Sequence, residues 1–146
     1  MEKFNKGAVL ITGTTSGVGL NTLKPLIEFG WDIIAINRSS KRAIDEANKI
    51  LKNDEIESIN FIEIDLSDLN SVRDGAKEIT TKFGNVLKVL ICNAAVYKPR
   101  LKRPERSPQG FENSMAVNHF GHFLLINLLL ESILNSDEKI ILNGEI

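Results

Sequence analysis

Cysteine is nearly missing. Cys92 stands alone among 146 residues, so the chain makes no internal disulfide and cannot build a cysteine zinc site by itself. A reducing compartment suits such a chain. Charge of one sign is missing too: 18 lysines and arginines face 19 acidic residues, a net charge of −1. A dedicated nucleic-acid binder carries a basic excess, and this chain has none. The N-terminal Met1-Glu2-Lys3-Phe4-Asn5-Lys6 lacks the apolar core and small-residue cleavage site of a signal peptide. Phe123 to Leu130, the longest apolar stretch, is broken by Asn127 and falls far short of a bilayer span. No repeat and no low-complexity tract occurs. With 42% hydrophobic and 25% charged residues, the expectation is one globular domain in the cytoplasm or an equivalent matrix.

What is present is an alternation of short apolar runs with helical stripes. Residues 8–11 are apolar and end in Thr12-Gly13, the pattern of a strand buried on both faces of a parallel sheet. Leu20, Leu23, Leu26 and Ile27 follow at helical spacing and stop at Gly30. Pro25 inside that helix frees the Asn21 carbonyl and predicts a kink. Residues 33–36 read as a second strand, and Ala43, Ala47, Ile50 and Leu51 as the helix after it. Phe61, Ile62 and Ile64 mark a third strand ending at Asp65. Ser67 is placed to cap a helix striped by Leu69, Val72, Ala76, Ile79 and Phe83. Residues 86–91 form a fourth strand ending at Cys92-Asn93. A loop with Pro99, Pro104 and Pro108 leads to a helix from about Gly110 to Leu134, then a fifth strand at 140–142. Strict alternation implies right-handed crossovers and a doubly wound α/β domain with a parallel sheet.

The turn between the first strand and first helix reads Thr12-Gly13-Thr14-Thr15-Ser16-Gly17-Val18-Gly19. Its glycines allow a tight turn and close approach to a pyrophosphate, which the helix N-terminus would attract. A plain glycine-rich turn is the alternative, but the strand–turn–helix context is the one dinucleotide binding requires. The second strand ends at Asn37-Arg38, where an acid would select a free ribose 2′-hydroxyl and an arginine a 2′-phosphate. No acid is there, and Arg42 follows one helical turn after Arg38, so NADP is expected over NAD. The alternative is two solvated arginines. Asp65-Leu66 and Asn93-Ala94-Ala95 sit at the carboxyl edge of the sheet, where ligands bind. Asp65 could equally be a turn or cap residue, and Asn93 a satisfier of backbone groups. Asn118, in the middle of an apolar helix, must be paired there or functional. His119 and His122 lack a third ligand, so no metal site is expected and a structural or surface role is read for both. Cys92 reads as a buried small hydrophobe. In the loop, Lys98, Arg100, Lys102, Arg103 and Arg106 face Glu105, a solvated run or one that attracts an anionic carboxylate or lipid headgroup.

The glycine turn, Asp65-Leu66, Asn93-Ala94-Ala95 and Asn118 occur in the order and spacing of the short-chain dehydrogenases/reductases, and from about residue 6 to 142 the chain resembles the first half of that family's Rossmann-like domain. Cys92-Asn93-Ala94-Ala95-Val96-Tyr97-Lys98-Pro99 and the segment from Gly110 through Asn118 to Leu125 look most like the light-dependent protochlorophyllide reductases within it. The resemblance implies an NADPH oxidoreductase that reduces the C17–C18 double bond of protochlorophyllide under light. Gly13, Thr15, Ser16, Gly17, Val18 and Gly19 would hold the pyrophosphate, and Arg38 with Arg42 the 2′-phosphate. Asp65 and Leu66 would meet the adenine, Asn93 to Ala95 the nicotinamide-side ribose, and Asn118 would match the helix asparagine of the proton-relay tetrad. It also implies a pigment substrate and a peripheral place at photosynthetic membranes.

The family's Tyr-x-x-x-Lys pair would follow the fifth strand, where this sequence has Asn143-Gly144-Glu145-Ile146; Tyr97, its one tyrosine, lies in another loop. Residues 1–146 are therefore read as one NADP-binding domain, truncated after the fifth strand and expected to be a poor catalyst alone. A non-catalytic nucleotide-binding fragment and a short-chain reductase of another substrate are the competing readings. The helix from Gly110 to Leu134 is apolar nearly all round and needs cover on both sides, which predicts a homo-oligomer or other association through it.

Overall fold

The computed structural model describes residues 6–98 and 103–135, and the backbone of 140–143. Part of the basic loop (99–102), the N-terminal stretch 1–5 and residues 144–146 lie outside the described residues. The strands are β1 (Ala8–Thr12), β2 (Asp32–Asn37), β3 (Ile59–Glu63), β4 (Leu87–Cys92) and β5 (Ile140–Asn143). They form a five-stranded sheet in the order β3-β2-β1-β4-β5, and every pairing is parallel. Parallel neighbours need crossovers, and the crossovers supply helices to both faces.

Alternation along β1 divides the core. Ala8 and Leu10 point to a cluster with Val72, Ala76 and Ile79 of α4 (Leu69–Phe83) and Leu125, Leu129 and Ile133 of α5 (Asn113–Leu134). Ile11 points the other way, toward Leu20 and Leu23 of α1 (Gly17–Glu28), Ala47 of α2 (Ser40–Ala47) and Leu51. All of these side chains are buried, and each of the valine, leucine and isoleucine side chains contributes about 1.5–3 kcal/mol of burial free energy. This is the doubly wound arrangement expected from the alternation.

Several local expectations change. The helix read through Ile50 and Leu51 stops short of both: α2 ends at Ala47, and a short separate α3 (Asn53–Glu57) follows Lys52. Ser67 does not cap α4. Its N–H and hydroxyl both donate to Asp65 Oδ1, at 2.9 and 2.7 Å, while Asp68 accepts from Asn70 N at 3.0 Å as the cap. An aspartate in position to close its own turn takes Ser67 away from the helix. α1 runs from Gly17 to Glu28 with Pro25 inside it, and Gly30 follows its end with a φ of +79° that suits glycine. α5 begins three residues later than Gly110, and its stretch Ala116–Gly121 is wound as a π-helix. At Asn113–Leu134 it is apolar and long enough to cross a membrane, which the interrupted 123–130 run did not suggest; its inner face is packed against β4 and α4.

Candidate functional site

The carboxyl ends of β1, β2, β3 and β4 open on one cleft of about 470 Å³, a volume in the range of small-molecule sites. Its walls carry Gly13, Thr15, Ser16 and Val18 from the first turn, Arg38 and Arg42 beyond β2, Asp65 and Leu66 beyond β3, and Asn93, Ala94 and Ala95 beyond β4. Ile36, Asn37, Ser39, Ile64, Val96 and Val117 complete the lining. Of the expected residues, Gly17, Gly19 and Asn118 are not on the wall.

The glycines serve different ends. A Cβ on Gly13 would strike the backbone of Ala94, and one on Gly19 would strike the Gly13 carbonyl oxygen and the Asn93 amide. Both are therefore demanded by the contact between the turn and the end of β4. Gly17 has φ +57° with open space around it, so it is demanded by backbone conformation. It opens α1, where Ser16 makes no side-chain cap and the first turn holds no acid. That helix N-terminus is open to an anion.

The turn is clamped from two strands. Asn37 is buried at the end of β2; it accepts from Thr14 N and donates to Thr14 Oγ1, each at 2.7 Å. Asn93 donates its amide to the Thr12 and Gly13 carbonyls at 3.0 and 2.9 Å, so the role of satisfying backbone groups applies to it. The missing acid at position 37 gives no sign of this clamp. A polar residue ending an otherwise apolar strand was the available signal for this clamp.

Arg38 and Arg42 are exposed and share the cleft wall, and among the described residues neither guanidinium meets a carboxylate. Two of the first three N–H groups of α2 are already engaged: Ser39 Oγ accepts from Arg42 N at 3.3 Å, and Glu63 Oε2 accepts from Ser40 N at 3.0 Å. An anion at this wall would therefore meet the side chains rather than the helix terminus. Asp65 turns its carboxylate onto Ser67.

Asn118 stands behind the wall, in the π-helical stretch. Its amide donates to the Val96 carbonyl at 3.0 Å and its Oδ1 accepts from Val96 N at 2.7 Å, a reciprocal pair that pins the segment after β4. Gly121 closes the same stretch, where a Cβ would run into the Leu66 carbonyl. His119 is exposed with its ring against Phe120 and Phe123, whereas His122 is buried beside Thr12. Cys92 is buried and its thiol is pushed up to about 11 by burial, which keeps it protonated and a poor nucleophile at neutral pH. Among the described residues no three His, Cys, Asp or Glu side chains gather as a metal site would require.

The sequence profile of the family described as short chain dehydrogenase matches residues 7–143. Protochlorophyllide reductase of the chloroplast from Cucumis sativus is 41% identical over 152 aligned positions, which take in 99% of this chain and 37% of that protein. The protein of the same name from Chlamydomonas reinhardtii is 40% identical over 135 positions, 92% of this chain and 33% of that one. A metagenomic short-chain oxidoreductase solved with NADP superposes with a TM-score of 0.73 at 19% identity, over 92% of this chain and 59% of its own. The chain thus spans about a third of the length of the curated relatives.

Proposed function

The chain belongs to the short-chain dehydrogenase family, and from that premise we propose that its cleft binds NADPH for the reduction of a protochlorophyllide-like pigment. The observation that carries the cofactor is the pair Arg38 and Arg42, two exposed guanidinium groups on the cleft wall with no carboxylate against them among the described residues and no acid at position 37. A guanidinium offers phosphate a permanent charge and a planar fork of donors. The pigment is supported by the relatives' names at about 40% identity. Those names carry the word chloroplastic, and a photosynthetic compartment is the setting this reading takes.

In this reading the residues divide the work by position. Arg38 and Arg42 hold the 2′-phosphate. Gly13, Thr15, Ser16 and Val18, with Gly17 and Gly19 shaping the turn, bring the N-terminus of α1 to the pyrophosphate. Asp65 and Leu66 border the adenine, and Asn93 to Ala95 border the nicotinamide-side ribose. Asn118 holds the Val96 segment in place, and its role in a proton relay belongs to this proposal. When bound, NADPH supplies a hydride for the reduction.

Titrating the folded chain with NADPH and NADH tests the cofactor. NADPH should bind more tightly, and Arg38→Ala should cost on the order of 1.5–3 kcal/mol toward NADPH while sparing NADH. Equal affinity for the two nucleotides overturns the assignment. Illumination with NADPH and protochlorophyllide, beside a full-length relative, tests the pigment.

A further inference from the structure

Thr12, the last residue of β1, is fully buried, and three groups converge on its hydroxyl. The N–H groups of Asn93 and Ala94 each donate to Thr12 Oγ1 at 3.0 Å. His122 Nε2 lies 2.8 Å from the same oxygen. A hydroxyl has two lone pairs and one proton. The two backbone donors use both lone pairs, so the proton of Thr12 goes to His122 Nε2. That leaves the ring one form: bare at Nε2 and protonated at Nδ1, which faces the Asn118 carbonyl at 3.5 Å. His122 is 4% exposed, so both contacts lie away from bulk solvent.

We propose that His122 is a positioning residue for the nucleotide-binding wall: as a neutral imidazole it takes the Thr12 proton, and so lets Thr12 hold the Asn93 and Ala94 N–H groups in place. This rests on reading the cleft as a nucleotide site. An imidazolium would turn an N–H toward an oxygen with no lone pair left, and one of the two wall contacts would have to break. The surroundings favour the neutral ring. Burial dominates and depresses its proton affinity below the ordinary histidine value, with the Asn118 carbonyl opposing. The titratable neighbours do not counter this. Cys92 at the end of β4 is a protonated thiol, His119 on the same helix is exposed against aromatic rings, and Asp65 beyond β3 is turned onto Ser67. The depressed value sets the sign: the contact is complete above the ordinary histidine pKa of about 6.5 and is lost as pH falls through the folded-state value.

Imidazole ¹⁵N shifts of the full chain, without nucleotide, read the tautomer directly. At about pH 7.5 Nδ1 should be protonated and Nε2 bare; a protonated Nε2 overturns the proposal. The second test is NADPH titration of the wild type, His122→Gln and His122→Leu at about pH 7.5 and at a pH below the folded-state midpoint of the ring, which the same ¹⁵N shifts report. Glutamine keeps a neutral acceptor that does not titrate. It should bind within about threefold of wild type at the higher pH and lose less affinity than wild type at the lower. Leucine, with no acceptor, should bind about tenfold more weakly at the higher pH. Protonation of the 2′-phosphate is common to all three chains and cancels in their ratios. Wild-type affinity in the folded leucine variant, or the same pH loss in glutamine as in wild type, overturns the proposal. Should the leucine variant not fold, glutamine and the ¹⁵N shifts decide it. A wild-type chain that binds no NADPH at either pH removes the nucleotide reading, and the shifts still decide the hydrogen bond.

Discussion

Single residues at the cleft differ in what they tolerate, and the difference follows from what surrounds each Cα. Gly19 faces the Gly13 carbonyl and the Asn93 amide, both fixed by hydrogen bonds, so an added methyl has nothing soft to displace. Gly19→Ala is expected to destabilise the fold by about 1–3 kcal/mol and to weaken NADPH binding, because the wall and the turn are forced apart together. Gly17→Ala meets open space and bears only the left-handed backbone penalty, about 1–2 kcal/mol. Urea denaturation of both variants beside nucleotide titration checks this. Affinity loss without any loss of stability at Gly19 would mean that the packing argument is wrong.

Elements show a sharper division between what pattern reveals and what contact decides. The strands were legible because both-face burial writes itself as unbroken apolar runs, as in residues 8–11 and 33–36. The glycine turn and the stop at Gly30 were legible because each needs a residue type that carries its own geometry. The π-helical winding of Ala116–Gly121 was not, since it belongs to partners distant in sequence: Val96 beside Asn118, and the Leu66 carbonyl beside Gly121. The Asn37–Thr14 clamp was hidden for the same reason, and the cap of α4 went to Asp68 because Asp65 had claimed Ser67. α5 also leaves large apolar side chains in water, with Phe123 61% exposed and Leu128 and Leu134 exposed further along the helix. Large exposed apolar side chains forfeit up to about 1.5–3 kcal/mol each when left in water, and a contiguous patch of them marks an association surface. Sedimentation velocity should show the wild-type chain self-associating and Phe123→Glu shifted toward monomer. A wild type that stays monomeric at tens of micromolar, roughly, would refute an association through this helix.

For the whole molecule, the position of β1 in the sheet sets an order in time. β2 pairs with β1 and β3 with β2, each with its nearest predecessor in the chain, so one half of the sheet assembles from local closures. The other neighbour of β1 is β4, with Ala8 beside Leu87, and that pairing must gather the whole intervening chain first. Long closures carry an entropic cost that is met before any contact rewards it, and parallel sheets fold slowly for this reason. Stopped-flow refolding should accordingly show far-UV signal recovering ahead of NADPH binding, with simultaneous recovery refuting the order. The glycine turn would exist early and face nothing. Thr12 gains its two amide donors, and the cleft its second wall, only when β4 arrives, so a half-folded chain carries the most recognisable motif of the sequence without yet having a place to put a ligand.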